Sequence, residues 1–172
     1  MNTLERTLGI VGWKNAGKTG LVADLVRELT AFGYRVSTVK HAHHGFDMDR
    51  PGKDSHTHRE AGAREVLVAS DRRWALLHEL EETGPLDLGE LVTHLSPADL
   101  ILAEGFKAGP HAKIEVWRDP AQPILALDDS TVVALVCPDP AHVPPLACPV
   151  FARDDLDALL AFVRRWIASR AT

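Results

Sequence analysis

Cysteine is scarce in this sequence, which holds two of them, Cys137 and Cys148, among 172 residues. They lie eleven positions apart and no CxxC pair occurs, so neither a disulfide framework nor a cysteine zinc site is indicated. No apolar run approaches the roughly 18 residues of a membrane span, and the segment around Glu5 lacks the uninterrupted apolar stretch of a signal peptide. We therefore expect neither secretion nor membrane insertion, but a reducing, cytoplasmic location.

An excess of basic residues is also absent. The 19 Lys and Arg residues are outnumbered by 24 Asp and Glu residues, which gives a net charge of −5. The field of such a protein repels polyanions, so nucleic acid is not expected as the main partner, although a local basic pocket can still hold a small phosphate ligand. Apolar residues make up 45% of the chain, enough for a sizeable core, and the length predicts a single domain over residues 1–172.

Short apolar runs alternate with segments of helical periodicity along the chain. Strands are predicted at five apolar or β-branched runs: residues 8–11, 34–40, 66–69, 100–103 and 131–136. Helices are predicted over residues 21–32 and 156–167, where apolar side chains recur at helical spacing. This alternation is typical of βαβ units and predicts an α/β fold, with a mostly parallel sheet and helices on both of its faces.

Two segments depart from this alternation of strands and helices. Residues 113–117 alternate polar and apolar side chains, which predicts a strand with one solvated face, at a sheet edge or in a small antiparallel addition. Its apolar residues, Ile114, Val116 and Trp117, could pair across a two-fold axis or face the core. Residues 137–149 contain five prolines, which predict an extended connection without regular structure.

A complete GxxxxGK[ST] motif lies between the first predicted strand and the first predicted helix, the context that this motif requires. Its glycines let the backbone wrap closely around a phosphate, and its successive N–H groups and the helix N-terminus attract an anion. The lysine supplies a positive charge for the β- and γ-phosphates, and the threonine hydroxyl is a hard ligand for Mg²⁺. The residues predicted to bind the nucleotide phosphates are Gly12, Trp13, Lys14, Asn15, Ala16, Gly17, Lys18 and Thr19.

A magnesium–nucleotide site also needs a carboxylate at the carboxyl end of a neighbouring strand, because parallel sheets bind ligands at that edge. The strand at residues 100–103 has Asp99 before it and Glu104 after it, about 16 Å apart in a regular strand. Both cannot serve one metal ion. Glu104 is at the correct end and is predicted as a metal and catalytic residue, whereas Asp99 is read as a turn residue at the opposite edge.

Residues 40–58 hold five of the nine histidines and follow a strand expected to lie beside the motif, so they are predicted to form a functional loop. One interpretation is a switch-like segment, with Asp47, Asp49 or Asp54 reaching the metal and Lys40 or Lys53 reaching phosphate. The others are a histidine metal site, which lacks a placed carboxylate or cysteine partner, and a solvated surface loop. Asp47 is taken as the metal-ligand candidate.

Four segments together resemble the MobB family, the GTP-binding proteins of molybdopterin guanine dinucleotide biosynthesis. They are GWKNAGKT, VKHAHHGFDMDRPGKDSHTHREAGA, DLILAEGFK and KIEVWR. The resemblance spans about residues 8–136 and implies a three-layer P-loop NTPase fold, GTP with Mg²⁺, weak GTP hydrolysis and a homodimer. It also implies an adapter role beside the MobA nucleotidyltransferase, with molybdopterin as a candidate ligand. The run His111-Ala112-Lys113-Ile114-Glu115 departs from the Pro-Lys-Ile-Glu-like run expected there.

The residues themselves leave the base and the reaction open. No NKxD motif is present, and Asp139 is a candidate for a guanine edge or simply a turn residue, so GTP over ATP rests on the resemblance. A small-molecule kinase is an alternative, for which Arg59, Arg64, Arg72 and Arg73 could form a lid. A nickel-type metallochaperone GTPase using the histidines is another. If the protein is instead the GTP-binding adapter that the resemblance implies, Lys18 and Glu104 are its catalytic residues. They support at most a slow, Mg²⁺-dependent GTPase, because no arginine finger or water-orienting glutamine is evident.

Overall fold

The computed structural model describes residues 3–42, 49–80 and 86–170. Its strands are β1 (Thr7–Val11), β2 (Val36–Lys40), β3 (Glu65–Ala69), β4 (Trp74–His78), β5 (Leu100–Glu104), β6 (Ala112–Val116), β7 (Val132–Cys137) and β8 (Val150–Ala152). Its α-helices are α1 (Lys18–Ala31), α2 (Asp54–Glu60), α3 (Leu88–Thr93) and α4 (Leu156–Ala168). Short 3₁₀ helices cover Thr3–Arg6, Leu125–Leu127 and Pro140–His142.

The chain divides into two compact units. The first comprises Met1–His41 and Asp87–Thr172, and the second comprises Ala42–Leu86. The assignment of residues 1–172 to a single domain stays a prediction. Within the described residues, no helix is long and apolar enough to cross a membrane.

The first unit contains a six-stranded sheet in the order β2-β5-β1-β6-β7-β8. Every neighbouring pair of strands is parallel, which confirms the predicted mostly parallel sheet. Strand β5 lies between β1 and β2. Strand β5, which ends in Glu104, is therefore the direct neighbour of β1, and Lys40, the last residue of β2, is in register with Glu104.

Helices cover both faces of this sheet. Alternate strand residues, such as Leu100 and Leu102, pack in one cluster with α1 and α4, and the intervening Ile101 and Ala103 pack in another with α3. Because successive side chains of a strand point to opposite faces, the two clusters lie on opposite sides of the sheet. The result is the predicted three-layer arrangement, in which strands β1 and β5 are mostly apolar because neither face of the sheet meets water there.

Strand β6 is central, between β1 and β7, so its prediction as an edge strand or antiparallel addition is wrong. Its two charged residues are buried, with Lys113 2% and Glu115 0% exposed. Lys113 Nζ donates to Asp129 Oδ2 at 2.9 Å, and the Glu115 carboxylate accepts the backbone N–H groups of Leu125 and Ala126 at 2.8 and 2.9 Å. These partners replace water for both charges, which is why an alternating sequence does not mark a solvated face here.

The apolar residues of β6 face the interior of the first unit. Ile114, Val116 and Trp117 are 0%, 3% and 8% exposed. Of the two interpretations of these residues, packing in the core is therefore confirmed, and they give no support to pairing across a two-fold axis.

Residues 66–69 do form a strand, but not in the parallel sheet. Strand β3 pairs antiparallel with β4 in a separate two-stranded sheet of the second unit. The backbone N–H of Ser70 donates to the carbonyl of Arg73 at 2.8 Å, so a tight turn returns the chain directly. Such a short connection can join only antiparallel strands, and the placement of these residues in the main sheet is wrong.

The proline-rich connection and the last helix follow the sequence closely. Residues 137–149 are irregular apart from the single turn at Pro140–His142, so the prediction of no regular structure is wrong for that turn alone. The short strand β8 that follows was not predicted. Helix α4 is confirmed: the Asp155 carboxylate caps it by accepting the N–H of Ala158 at 3.1 Å.

His111, just before β6, is 5% exposed. Its ring lies against the backbones of Gly9 and Gly109, where a Cβ would approach the ring nitrogens to 2.5 and 2.6 Å. Among the described residues, neither ring nitrogen has a hydrogen-bond partner. Burial, reinforced by the Lys113 charge, lowers the pKa of His111 to about 4, so the ring is neutral near pH 7.

This burial predicts a pH dependence of stability. An unfolded histidine has a pKa of about 6.5, so below that pH the unfolded state binds the proton that the folded state refuses. The stabilisation is complete above pH 6.5 and is lost as the pH falls to about 4, to a total of roughly 2–3 kcal/mol. Urea titrations of His111→Leu between pH 7.5 and 4 should show a flatter free energy of unfolding than the wild type. The exposed His94→Gln variant serves as control, and an unchanged slope in His111→Leu would refute the assignment.

Candidate functional site

The Gly12–Thr19 loop connects β1 to α1 and folds tightly around the Lys18 side chain. Lys18 Nζ donates to the carbonyls of Gly12 and Trp13 at 3.0 and 2.8 Å. Gly12 and Gly17 adopt φ of 143° and 100°, conformations open to glycine but strained for other residues. The motif residues that the sequence predicts to act together are therefore brought together, with one ammonium group at the centre of the loop.

The charge of Lys18 lies among other charges of the first unit. Burial lowers the pKa of its ammonium group, the Glu104 carboxylate opposes this change, and the positive charges of Lys107 and Lys40 reinforce it. Three cations and one carboxylate therefore lie close to one another at this end of the sheet. A local positive field exists here although the whole chain is acidic.

Glu104 closes the site from the neighbouring strand. It is the last residue of β5, in register with Ile10 of β1, and its Oε1 accepts the Thr19 hydroxyl at 2.8 Å. Lys40 Nζ lies 3.5 Å from the same oxygen. A hydroxyl and a carboxylate in contact are hard oxygen donors of the kind that Mg²⁺ prefers, so these two residues fit a magnesium ion.

Asp99 lies at the opposite end of β5, where the sequence predicts a turn residue. Its carboxylate accepts the backbone N–H of Arg35 at 2.8 Å and pairs with the Arg35 guanidinium at 2.9 Å. These hydrogen bonds lower the pKa of Asp99. The side chain joins the starts of β2 and β5 and takes no part in the site around Glu104.

A cavity of about 370 Å³ opens beside the carboxy-terminal half of the loop. It lies where β6 and β7 end, the edge at which open parallel sheets bind ligands. Sequence reasoning missed most of its residues, although their position just after predicted strands was a usable signal. The lining residues are Ala16, Gly17, Gly20, Val116, Trp117, Arg118, Val136, Cys137, Pro138 and Arg153.

Asp139 follows this cavity wall but is not one of its lining residues. Its Oδ1 accepts the N–H of Ala141 at 2.9 Å and its Oδ2 contacts His142 Nδ1 at 2.7 Å. Both contacts lower the pKa of Asp139, and the hydrogen bond from Ala141 has the larger effect. The structure thus places Asp139 as a capping residue of the turn, and its contact with a guanine edge stays a prediction.

The candidates from residues 40–58 are distributed over several places. Asp47, with His43 and His44, lies outside the described residues, so its metal role stays a prediction. Asp49 accepts the Ser55 hydroxyl at 2.8 Å, and Lys53 and Asp54 lie at the start of α2, all within the second unit. In the described ranges, no group of three or more His, Cys, Asp or Glu side chains could hold a metal ion.

The arginines considered for a lid also belong to the second unit. Arg59 pairs with Glu79 at 2.9 Å, and Arg72 and Arg73 lie in the turn between β3 and β4. Their role in a lid is untested by these contacts.

A parallel sheet between helices, with a GxxxxGK[ST] loop after its first strand and a carboxylate at the end of the adjacent strand, defines the P-loop NTPase-like class of α/β proteins. Comparison with known proteins narrows the class. The family described as MobB, "Molybdopterin guanine dinucleotide synthesis protein B", matches residues 7–138. This chain belongs to the MobB family, as the resemblance implied.

Similar proteins agree with this assignment. The chain is 38% identical over 169 residues to the molybdopterin-guanine dinucleotide biosynthesis adapter protein of Escherichia coli, covering 96% of this chain and 95% of that protein. It is also 38% identical over 143 residues to the protein of the same name from Haemophilus influenzae, covering 83% of this chain and 80% of that protein.

Solved structures give the same fold. A MobB homologue from Bacillus stearothermophilus has a TM-score of 0.74 at 25% identity, covering 95% of this chain and 99% of that one. A crystal structure of molybdopterin-guanine biosynthesis protein B has a TM-score of 0.75 at 27% identity, covering 94% of this chain and 99% of that one.

The loop geometry makes a prediction that separates two reasons for glycine. At Gly12 a Cβ would lie 2.2 Å from the Val116 carbonyl oxygen, whereas at Gly17 nothing lies within 4 Å. Gly17→Ala should therefore suffer only backbone strain of about 1 kcal/mol, and Gly12→Ala should lose about 3 kcal/mol because β6 must also move. Urea unfolding of both variants measures the difference. Equal losses would show that the positive φ alone, and not the Val116 carbonyl, requires glycine.

Proposed function

We propose that this protein is a GTP-binding adapter in molybdopterin guanine dinucleotide biosynthesis, acting in the cytoplasm beside the MobA nucleotidyltransferase. The observation that carries the proposal is the contact between Thr19 and Glu104 beside the Lys18-centred loop. Membership of the MobB family and the names of the two relatives at 38% identity support the adapter role. The base preference for GTP rests on the family.

The loop and the cavity together offer a seat for a nucleoside triphosphate. The loop amides and the N-terminus of α1 present N–H groups to an anion, and Lys18 adds a full positive charge. The adjacent cavity of about 370 Å³ is of a size that suits a small ligand, and we place the ribose and base there. Gly20, on the first turn of α1, keeps that side of the cavity open next to Arg153.

Thr19 and Glu104 would hold Mg²⁺, with Asp47 as a further candidate ligand. When bound, the metal supplies positive charge to the β- and γ-phosphate oxygens. The Thr19–Glu104 hydrogen bond of 2.8 Å keeps the two oxygen donors adjacent. In this scheme Lys18 neutralises phosphate charge. Glu104 is a metal ligand that also orients the Thr19 hydroxyl, and it does not act as a general base.

Hydrolysis of GTP by such a site is expected to be slow. The sequence contains a single glutamine, Gln122, and its backbone carbonyl accepts the Trp117 indole N–H at 2.9 Å on a different connection. A glutamine that orients the attacking water or an arginine finger accelerates related reactions by large factors. A partner protein or a second copy of the chain would have to supply such a group.

The hairpin of the second unit supports a homodimer or a partner interface. Leu67 and Leu76 are directly paired, as are Ala69 and Trp74, so all four lie on one face. Leu67 is 60% and Trp74 66% exposed. An exposed apolar face on a two-stranded sheet is typical of an interaction surface, and we propose that it joins two copies of the chain. Molybdopterin is a candidate ligand of the assembled complex.

Nucleotide binding is tested by calorimetric titration of GTP and ATP, each with Mg²⁺, into the wild type and Lys18→Ala. Removing the central ammonium group should weaken GTP binding about 100-fold or more, since a charge-assisted phosphate contact is lost. The exposed Arg165→Ala variant, which removes one positive charge from α4, should bind like the wild type. Undiminished affinity in Lys18→Ala would refute the phosphate-loop assignment, and equal affinity for ATP would remove the preference for GTP.

The adapter role and the dimer are tested together by light scattering after size-exclusion chromatography. The chain alone should show the mass of two copies, and Leu67→Glu should shift it towards one copy because a charge on the hairpin face opposes burial. Mixing with a purified molybdopterin nucleotidyltransferase, with and without GTP, should give a larger complex.

Three outcomes would contradict this proposal. A single-copy mass for the wild type would remove the dimer. No complex under either condition, together with phosphate transfer to a metabolite, would favour a kinase. Stoichiometric divalent metal binding without nucleotide would favour a metallochaperone.

A further inference from the structure

Lys107 is a charged residue near the loop for which neither the motif nor the proposed function gives a role. It is exposed, and its Nζ lies 4.1 Å from the centroid of the Trp13 ring. Among the described residues it has no carboxylate in an ion pair. By contrast, Lys18 donates to two carbonyls and Lys40 pairs with Glu104, so within the described ranges Lys107 is the one of these three cations with neither a hydrogen bond nor an ion pair.

The backbone after β5 directs Lys107 to this place. Gly105 and Phe106 both have positive φ, 98° and 56°, and the second is a rare conformation for a bulky residue. Phe106 is held there by packing against the cluster of α3 and β5 and against the His41 ring, 5.0 Å away. Two successive left-handed residues thus turn the chain sharply after Glu104, which places Glu104 and Lys107 on the same site.

Trp13 forms a fixed platform for this cation. Its indole N–H donates to the Pro123 carbonyl at 2.8 Å, which orients the ring. The face of an indole attracts an ammonium group through its quadrupole. A lysine over such a ring is positioned by a contact that leaves its N–H groups available for an anion.

The position of Lys107 along the loop indicates which phosphate it would meet. The cavity proposed for the base and ribose is lined by Ala16, Gly17 and Gly20, not by Trp13. Lys18 Nζ reaches from the far end of the loop back to the carbonyls of Gly12 and Trp13. A polyphosphate that leaves the cavity and follows the loop past Lys18 therefore ends beside Trp13. The Lys107 charge is near enough to Lys18 to lower the pKa of its ammonium group.

We propose that Lys107 is a positioning and specificity residue for the terminal phosphate of the bound nucleotide, held over the Trp13 ring and opposite Lys18. The proposal rests on the nucleotide-binding function proposed above. It assigns to Lys107 the discrimination between a nucleoside triphosphate and a diphosphate, because only the triphosphate extends to the Trp13 side of the loop.

The test is calorimetric titration of GTP and GDP, each with Mg²⁺, into the wild type, Lys107→Met and Lys107→Arg. Lys107→Met should weaken GTP binding about tenfold, which corresponds to about 1.4 kcal/mol, and should change GDP binding less than twofold. Lys107→Arg keeps the charge and the contact with the ring and should restore most of the GTP affinity. Circular dichroism confirms that each variant is folded.

Arg164→Met is the matched control. Arg164 is an exposed cation 4.4 Å from the centroid of the Phe32 ring on the outside of the first unit, so its removal changes net charge and a cation–π pair without touching the loop. Both affinities should stay at the wild-type values. A loss in this control equal to that in Lys107→Met would assign the effect to net charge and overturn the proposal.

The remaining outcomes separate the two proposals. Equal weakening of GTP and GDP in Lys107→Met, or no weakening of either, would overturn the role of Lys107 while leaving nucleotide binding intact. Undiminished GTP binding in Lys18→Ala would instead remove the phosphate site on which both proposals depend. A selective loss for GTP that Lys107→Arg reverses supports the assignment, because a merely structural contact would affect both nucleotides alike.

Discussion

The hydrogen bond between Glu104 and Thr19 depends on one feature of the sheet, the insertion of β5 between β1 and β2. The register that pairs Glu104 with both Ile10 and Lys40 brings three strand ends to one edge. From there a single carboxylate contacts the first turn of α1 and the last residue of β2. Its negative charge also offsets the repulsion between Lys18 and Lys40, which would otherwise oppose the clustering of cations that a polyphosphate site needs.

The buried charges of β6 support the same site from the other side of the sheet. Glu115 fixes the N–H groups of Leu125 and Ala126, and the connection that they belong to presents the Pro123 carbonyl to Trp13. Unpaired, a carboxylate in this position would cost several kcal/mol. Burial raises the pKa of Glu115, and the two backbone N–H groups oppose that rise. The same two hydrogen bonds hold the connection beside the loop in place.

Much of the fold is predictable from the sequence because its signals are local. The apolar strands at residues 8–11 and 100–103, the helix after the motif and the capped last helix each follow from short-range patterns, and so does the position of Glu104 at the carboxyl edge. The errors concern information that local patterns do not carry. The alternation of residues 113–117 cannot reveal that Lys113 and Glu115 have partners at Asp129, Leu125 and Ala126. The sequence of residues 66–69 does not show that the strand pairs with the one that follows it in a hairpin. Nor does a local pattern show that Arg153, just after β8, lines the cavity beside the loop.

The two units carry different kinds of surface, and this difference bears on the proposed adapter role. In the first unit the sheet is covered on both faces, and the loop, Glu104 and the cavity all belong to it. In the second unit a short hairpin leaves Leu67, Trp74 and Leu76 exposed, which is costly in water unless another surface covers them. The proposed adapter role needs a nucleotide site, for which the Lys18-centred loop and the adjacent cavity are the candidates. It also needs an apolar contact surface, for which the exposed face of the hairpin is the candidate.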